Sequence, residues 1–234
     1  MPTSTENIIV HLNQSSALHQ HVTESGLTDA LRNLQDWQTR RLLVSYQDMW
    51  DSKRFRPAMA FFIDELYGPK DFSQRDQEIA RVVPKMAKLL PQQALDSLEA
   101  ALRLNCLSYE LDVQLAEALG DAQLDRVSYA QAYRQCDNQP QRIEQITLLE
   151  NLGQDLARVV KISGISTLLM LSRKPAKLAG VESLHVFLET GFKAFKKLGK
   201  VDDFILPIVE RERQIMLHLF DPDQPNPLPE VSSK

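Results

Sequence analysis

The chain reads as an all-α protein, a bundle of about eight helices with mostly antiparallel neighbours. Three observations point there. Eight glycines in 234 residues are few for a fold that must turn strands. No stretch alternates apolar and polar residues with period two. Apolar residues instead recur at i, i+3, i+4 and i+7 along nearly the whole length. A hydrophobic content of 43% with 25% charged residues is that of an ordinary globular protein, and 234 residues can bury a sizeable core as one domain or two.

The elements follow in order. Leu27 to about Ser52 carries Leu31, Leu34, Trp37, Arg41, Leu42, Tyr46 and Met49 along one side, with Thr28 or Asp29 as its cap. Pro57 fits the first turn of a second helix, where its missing N–H costs nothing, and Gly68-Pro69 ends it. Ser73 can cap a third helix through Leu90, with Pro84 kinking or dividing it. Pro91 opens a fourth, ended by Gly120. A short helix, Asp125 to Cys136, precedes a long one opened by Pro140. That helix passes Gly164, extends toward Leu171 and is broken by Pro175. Gly180 precedes a helix to Leu198, ended by Gly199, and Asp202 caps the last, which ends near Phe220.

Residues 1–24 read as a polar N-terminal segment and 25–220 as one helical domain, with a possible seam near 121–139. Residues 221–234 hold four prolines and read as a disordered tail. The short connections favour antiparallel packing, and no fixed-period repeat suggests a solenoid.

Composition excludes several roles. A net charge of -4 argues against general nucleic-acid binding, which needs a concentrated positive field. Cys106 and Cys136 lack metal-ribbon or disulfide-framework spacing. Two lone thiols, with no basic start and apolar leader, fit a cytoplasmic location. The most apolar stretch, Ile162 to Leu171, is far shorter than the ~18 residues of a membrane span. No nucleophile elbow, phosphate loop or dinucleotide fingerprint occurs, so isolated Gly153 and Gly164 are read as packing positions between helices.

The most informative stretch is Phe61-Phe62-Ile63-Asp64-Glu65-Leu66-Tyr67-Gly68, inside RFRPAMAFFIDELYGPKDFSQRD from Arg54 to Asp76. By α-helical spacing Ala58, Phe61, Phe62, Glu65 and Leu66 share a face. Met59, Ile63 and Tyr67 widen the apolar arc, so the helix should be central. Asp64 and Glu65 beside so much apolar surface must reach solvent or find a cation. Lys53, Arg54 and Arg56, or Arg75 and Arg81, are within sequence reach. The plain reading is a core helix with one structural ion pair. The functional alternative is a buried polar pocket lined by Glu65 and Tyr67.

This stretch resembles the signature of the bacterial FFLEELY-motif proteins, with Ile63 and Asp64 where that motif has Leu and Glu. The stretch Ser172 to Met216 is similar to the C-terminal part of the same proteins, and the resemblance spans roughly 25–220. It implies family membership but brings no activity, cofactor or catalytic residue.

Two further patterns bear on function. Glu182 and His185 form a Glu-x-x-His pair of the kind di-iron bundles use, with Glu189 a turn further on, but the second such pair those sites require is absent. They are weak metal candidates, and no metal or cofactor is assigned. Charge is also uneven. Residues 156–200 hold nine Lys/Arg and two acids, a local +7 that leaves -11 for the rest of the chain. Within it, Phe192, Phe195 and Leu198 alternate with Lys193, Lys196, Lys197 and Lys200, the pattern of a basic amphipathic helix. Arg126, Tyr129, Tyr133 and Arg134 form a second cluster at helical spacing, able to hold an anion.

The sequence therefore points to a non-enzymatic helical module. It would bind a protein partner or an anionic membrane surface through residues 156–200. The alternative is a bundle with a buried small-molecule or metal site of heme-oxygenase-like or ferritin-like type, which would leave room for an enzyme. Homo-oligomerisation stays open, as do the partner and the reaction.

Overall fold

The computed structural model describes residues 3–67, 73–86 and 91–231, and the expected Gly68-Pro69 stop and the end of the third helix at Leu90 lie outside them. Among the described residues there are eleven α-helices and one π-helical turn, and no strand. They are α1 (Ser4–Glu24), α2 (Thr28–Ser45), α3 (Gln47–Asp51), α4 (Arg56–Phe62), the π turn (Ile63–Tyr67), α5 (Ser73–Met86) and α6 (Gln92–Leu119). There follow α7 (Arg126–Gln135), α8 (Gln139–Val159), α9 (Ile165–Leu178), α10 (Glu182–Leu198) and α11 (Asp202–Phe220).

The all-α reading holds, and the count exceeds eight for three local reasons. The first is α1, in the segment read as polar. Thr3 and Glu6 close a capping box at its start. Ile8, Leu12, Ser15 and Val22 are buried along one stripe, which polar Ser15 and His19 interrupt in the sequence. His19 stacks on Tyr109 of α6, ring centroids 4.3 Å apart. The second is Tyr46, which leaves helical dihedrals (φ -124, ψ 31) and splits the first long helix into α2 and α3. Its side chain is fully buried and donates to Glu212 of α11. The third is Gly164. With φ +90 and open space beside it, it is a turn residue starting α9, not a packing glycine. The break expected at Pro175 falls at Gly164 instead. Pro175 lies inside α9, forfeiting only the bond to Leu171 on an exposed turn.

Caps also differ in detail. Neither Thr28 nor Asp29 caps α2, and Asp202 sits in the first turn of α11 behind Val201. Pro57 and Pro140 occupy first turns as expected.

Helix α6 is the hub. Thirteen of its 28 residues are buried, from Leu95 to Ala116, on more than one face. It runs parallel to α1: Ser4 meets Asp96, Asn7 meets Glu99, and His21 meets Glu117. It runs antiparallel to α8: Arg103 meets Glu144, Ser108 meets Gln145, and Asn138 meets Gln114. Helix α11 closes on α8 where a Cβ on Gly153 would lie 2.4 Å from Ile205, so that glycine does serve packing.

The Pro-rich tail, expected to be disordered, is placed through residue 231. Leu228 is 2% exposed, the Asn226 amide donates to the Arg126 carbonyl, and Arg126 binds back to the Asn226 carbonyl and to Glu230. Prolines leave such a segment little unfolded-chain entropy to lose, so one buried leucine and a few hydrogen bonds hold it.

Candidate functional site

The signature ends its α-helical course at Phe62. Phe61 and Phe62 pack with Phe187, Phe195 and Phe204 in tilted, edge and stacked geometries, ring centroids 5.5–6.3 Å apart. Gly191 of α10 permits this, since a Cβ there would lie 2.8 Å from the Phe61 ring. From Ile63 the chain turns with π geometry, which adds a residue per turn and changes which side chains share a face. Asp64 is exposed and Glu65 half-buried. The Tyr67 and Arg75 side chains lie outside the described residues. Arg54 turns to the far end of α10, donating to the carbonyls of Leu198 and Lys200 and to Asp203 at 2.7, 3.0 and 2.9 Å. Arg56 stacks on Trp50, and Arg81 donates to the carbonyls of Ala179 and Gly180.

Phe62 and Ile63 form part of the wall of a cavity of about 120 Å³ between α2, α4, α6, α7, α8 and α11. Its polar wall comes from charged residues standing on apolar stripes. Arg41 continues Leu34 and Trp37, and Asp112 lies between Ser108, Leu111 and Leu115. Arg142 leads to Ile146 and Leu149, and Glu212 follows Ile208 and Val209. Arg41 binds Glu212 with two bonds of 2.6 and 3.3 Å, and Tyr46 donates to the same carboxylate at 2.8 Å. Burial first, and then the Glu212 charge, push the Tyr46 hydroxyl well above its ordinary pKa. Asp112 accepts from Gln38 at 2.9 Å and Gln35 at 3.3 Å. Burial raises its pKa, and Gln38, Arg142 and Gln35 offset that only in part.

The predicted anion cluster divides between two surfaces. Arg126 is taken by the tail, and Arg134 donates to the Leu219 carbonyl at 3.0 Å. Tyr129 and Tyr133 point inward, stacked on each other and both on the cavity wall. Sequence reading placed Arg41 on a core stripe but missed the rest of the buried charges. The signal was available: a charge at a position that periodicity assigns to the core.

The metal candidates separate. His185 is 6% exposed and its Nε2 lies 2.8 Å from the Leu169 carbonyl, while Glu182 is exposed. Among the described residues no three His, Cys, Asp or Glu side chains converge.

The cations of the basic region are exposed, although α10 itself is packed into the core. Lys193 and Arg173 both bind Glu189, holding its carboxyl below the ordinary range. Lys196 lies over the Phe192 ring, and Lys196 and Lys197 are exposed. Helix α9 has no buried residue. Ile165, Leu169, Ser172 and Ala176 are half-buried, and Ile165, Leu168 and Leu169 line a second cavity of about 120 Å³ with Leu98, Leu156, Leu184 and Phe187. At ~100° per residue, Leu168, Leu171, Pro175 and Leu178 fall on one exposed flank and Arg173, Lys174 and Lys177 on the other. Exposure reaches 46% at Leu168, 63% at Met170, 66% at Leu171 and 90% at Leu178. No described helix is long and apolar enough to cross a membrane.

No curated protein and no solved structure matches the chain. Residues 17–227 match the family profile described as a domain of unknown function, DUF8198. With nearly its whole length inside that profile, the chain belongs to the DUF8198 family.

Proposed function

We propose that this is a non-enzymatic, cytoplasmic module that docks on an anionic membrane surface through α9 and the lysines of α10. The observation that carries the reading is α9, a helix with no buried residue that displays Leu168, Leu171 and Leu178 beside Arg173, Lys174 and Lys177. An interfacial helix has this form: hydrocarbon enters the headgroup boundary while flanking cations meet anionic lipid. Magnitudes require both parts. Each cation near an anionic leaflet contributes about 1 kcal/mol, so three alone give roughly millimolar binding. Each leucine taken from water adds about 1.5–3 kcal/mol. Lys193, Lys196 and Lys197 extend the positive field on the adjoining helix. The FFLEELY resemblance brings no activity to this reading.

Vesicle co-sedimentation tests it. Phosphatidylserine-containing vesicles should retain the protein and pure phosphatidylcholine vesicles should not. Binding should weaken as salt rises. Charge reversal of Arg173, Lys174 and Lys177, or of Lys193, Lys196 and Lys197, should abolish it with the fold intact. Equal binding to both vesicle types, or retention by the reversed variants, rejects the reading. Failure of all vesicles with capture of one specific protein through the same residues would replace membrane with a protein partner.

A further inference from the structure

Arg142 is a buried cation with no counter-charge among the described residues. It is 5% exposed, and its Nε, like that of Arg41, has no hydrogen-bond partner. Its other nitrogens make only long bonds, to Gln145 Oε1 at 3.4 Å and the Leu111 carbonyl at 3.5 Å, at or beyond the outer edge of useful geometry. It forms no ion pair with any described carboxylate; Asp112, whose carboxyl feels the Arg142 charge, is held by Gln35 and Gln38. Arg41 shows how the same side chain behaves when its role is structural: bidentate on Glu212. A buried guanidinium so underbonded is costly to keep.

The surroundings say what would complete it. The Tyr133 ring lies 4.6 Å from the guanidinium carbon, which fixes the guanidinium plane and leaves its edge to an in-plane acceptor. Arg142 is on the cavity wall together with apolar Met59, Ile146 and Leu149. A dry cavity of about 150 Å³ accommodates benzene, so one of about 120 Å³ suits a ligand of a few carbons. We propose that this cavity binds a small organic carboxylate, its two oxygens on the Arg142 guanidinium edge and its hydrocarbon against Met59, Ile146 and Leu149.

The charge balance selects the class. Arg41 is committed to Glu212, so one guanidinium remains to meet one negative charge, and the planar fork matches a carboxylate in bidentate fashion. A phosphate dianion would need a second cation. Asp112 competes little for Arg142, since both of its carboxylate oxygens already accept from Gln35 and Gln38. The site is independent of the α9 surface and does not rest on membrane docking.

The test follows the Arg142 Nε–H signal in full-length protein with ¹⁵N-labelled arginine while acetate, propanoate or butanoate is added. Propanoate and butanoate should shift that signal saturably. Their neutral amides, propanamide and butanamide, should bind at least about tenfold more weakly, since the charge-assisted bonds are lost. Ile146→Phe, which fills the apolar end and keeps the charge, should abolish the shift, and folded Arg142→Lys should bind at least about tenfold more weakly. The proposal is overturned if no carboxylate moves the Nε–H signal, if the amides match the acids, or if folded Arg142→Lys binds as the parent does. A shift with inorganic phosphate alone overturns the carboxylate assignment. Should Arg142→Lys not fold, the wild-type signal and the acid–amide comparison decide.

Discussion

The cavity side of the molecule and its α9 side invert the usual arrangement in opposite senses. Between α2, α6, α8 and α11 the protein encloses Arg41, Asp112, Arg142 and Glu212. On α9 it displays Leu168, Met170, Leu171 and Leu178. The two cannot be explained alike. Enclosed charge works against stability unless it is paired, whereas single exposed apolar residues are ordinary and cost little. Only a flank of several beside a row of cations is informative. The cavity side should therefore respond strongly to substitution in stability, in either sign, and the α9 side in binding alone.

The largest effect is expected at the paired charge. Glu212→Gln keeps the shape but leaves Arg41 buried without its counter-charge, and should cost about 3–5 kcal/mol in urea unfolding. Tyr46 loses an anionic acceptor at the same time. A cost below about 1 kcal/mol would show that Glu212 is solvated like a surface ion and that the cavity side is not the enclosed environment described.

The opposite sign is expected at the unpaired one. Arg142→Met removes a buried cation with an unmet donor and replaces it with hydrocarbon of similar length, so stability should rise by about 1–2 kcal/mol. Loss of stacking on Tyr133 works against this but is the smaller quantity. A clear loss of stability would mean that Arg142 is a structural residue, serving the fold through Leu111 and Gln145. The Glu212 and Arg142 variants together measure how far one cavity holds a settled charge and an unsettled one.

Much of this architecture was legible and some was not, for identifiable reasons. Helices α6, α7, α10 and α11 announce themselves through Pro91, Asp125, Gly180 and Gly199, because proline and glycine act locally and through few states. Helix α1 is obscured in the sequence because its buried stripe includes polar Ser15, and half-buried His19 beside it stacks on Tyr109, distant in sequence. The π turn was invisible to a reading that assumed 3.6 residues per turn. The tail has the composition of a free segment, and its burial rests on Leu228 with Val231 packed beside it on the core. The buried charges were individually visible as stripe violations, but only the fold shows that four of them meet and that three have partners.

A smaller effect separates Asp112 from Glu212. Burial raises the Asp112 pKa above its ordinary 3.8 despite its hydrogen bonds. The folded chain thus holds a proton that the unfolded chain has lost, and this contribution to stability falls as pH rises from about 3.8 through the folded value. Asp112→Asn should remove that fall. The variant should be modestly more stable than the parent at neutral pH, with the difference shrinking in acid, seen as converging melting temperatures across a pH series. An unchanged difference across the series would place the effect in packing and not in ionisation.

The smallest change in stability belongs to α9, and it sharpens the contrast. Leu171→Ser with Leu178→Ser removes two side chains that the body does not cover, so unfolding should shift by less than about 0.5 kcal/mol. Binding to phosphatidylserine-containing vesicles should nevertheless fall by about tenfold or more, because two leucines no longer leave water. Full retention of both stability and binding would reduce the exposed flank to ordinary surface. Loss of stability would mean that α9 is held by contacts these leucines make, and that its outer flank belongs to the fold. Loss of binding with the fold untouched is the outcome that the inverted surface requires. It would assign those leucines to a contact outside the chain, as the underbonded Arg142 is assigned to a ligand within it.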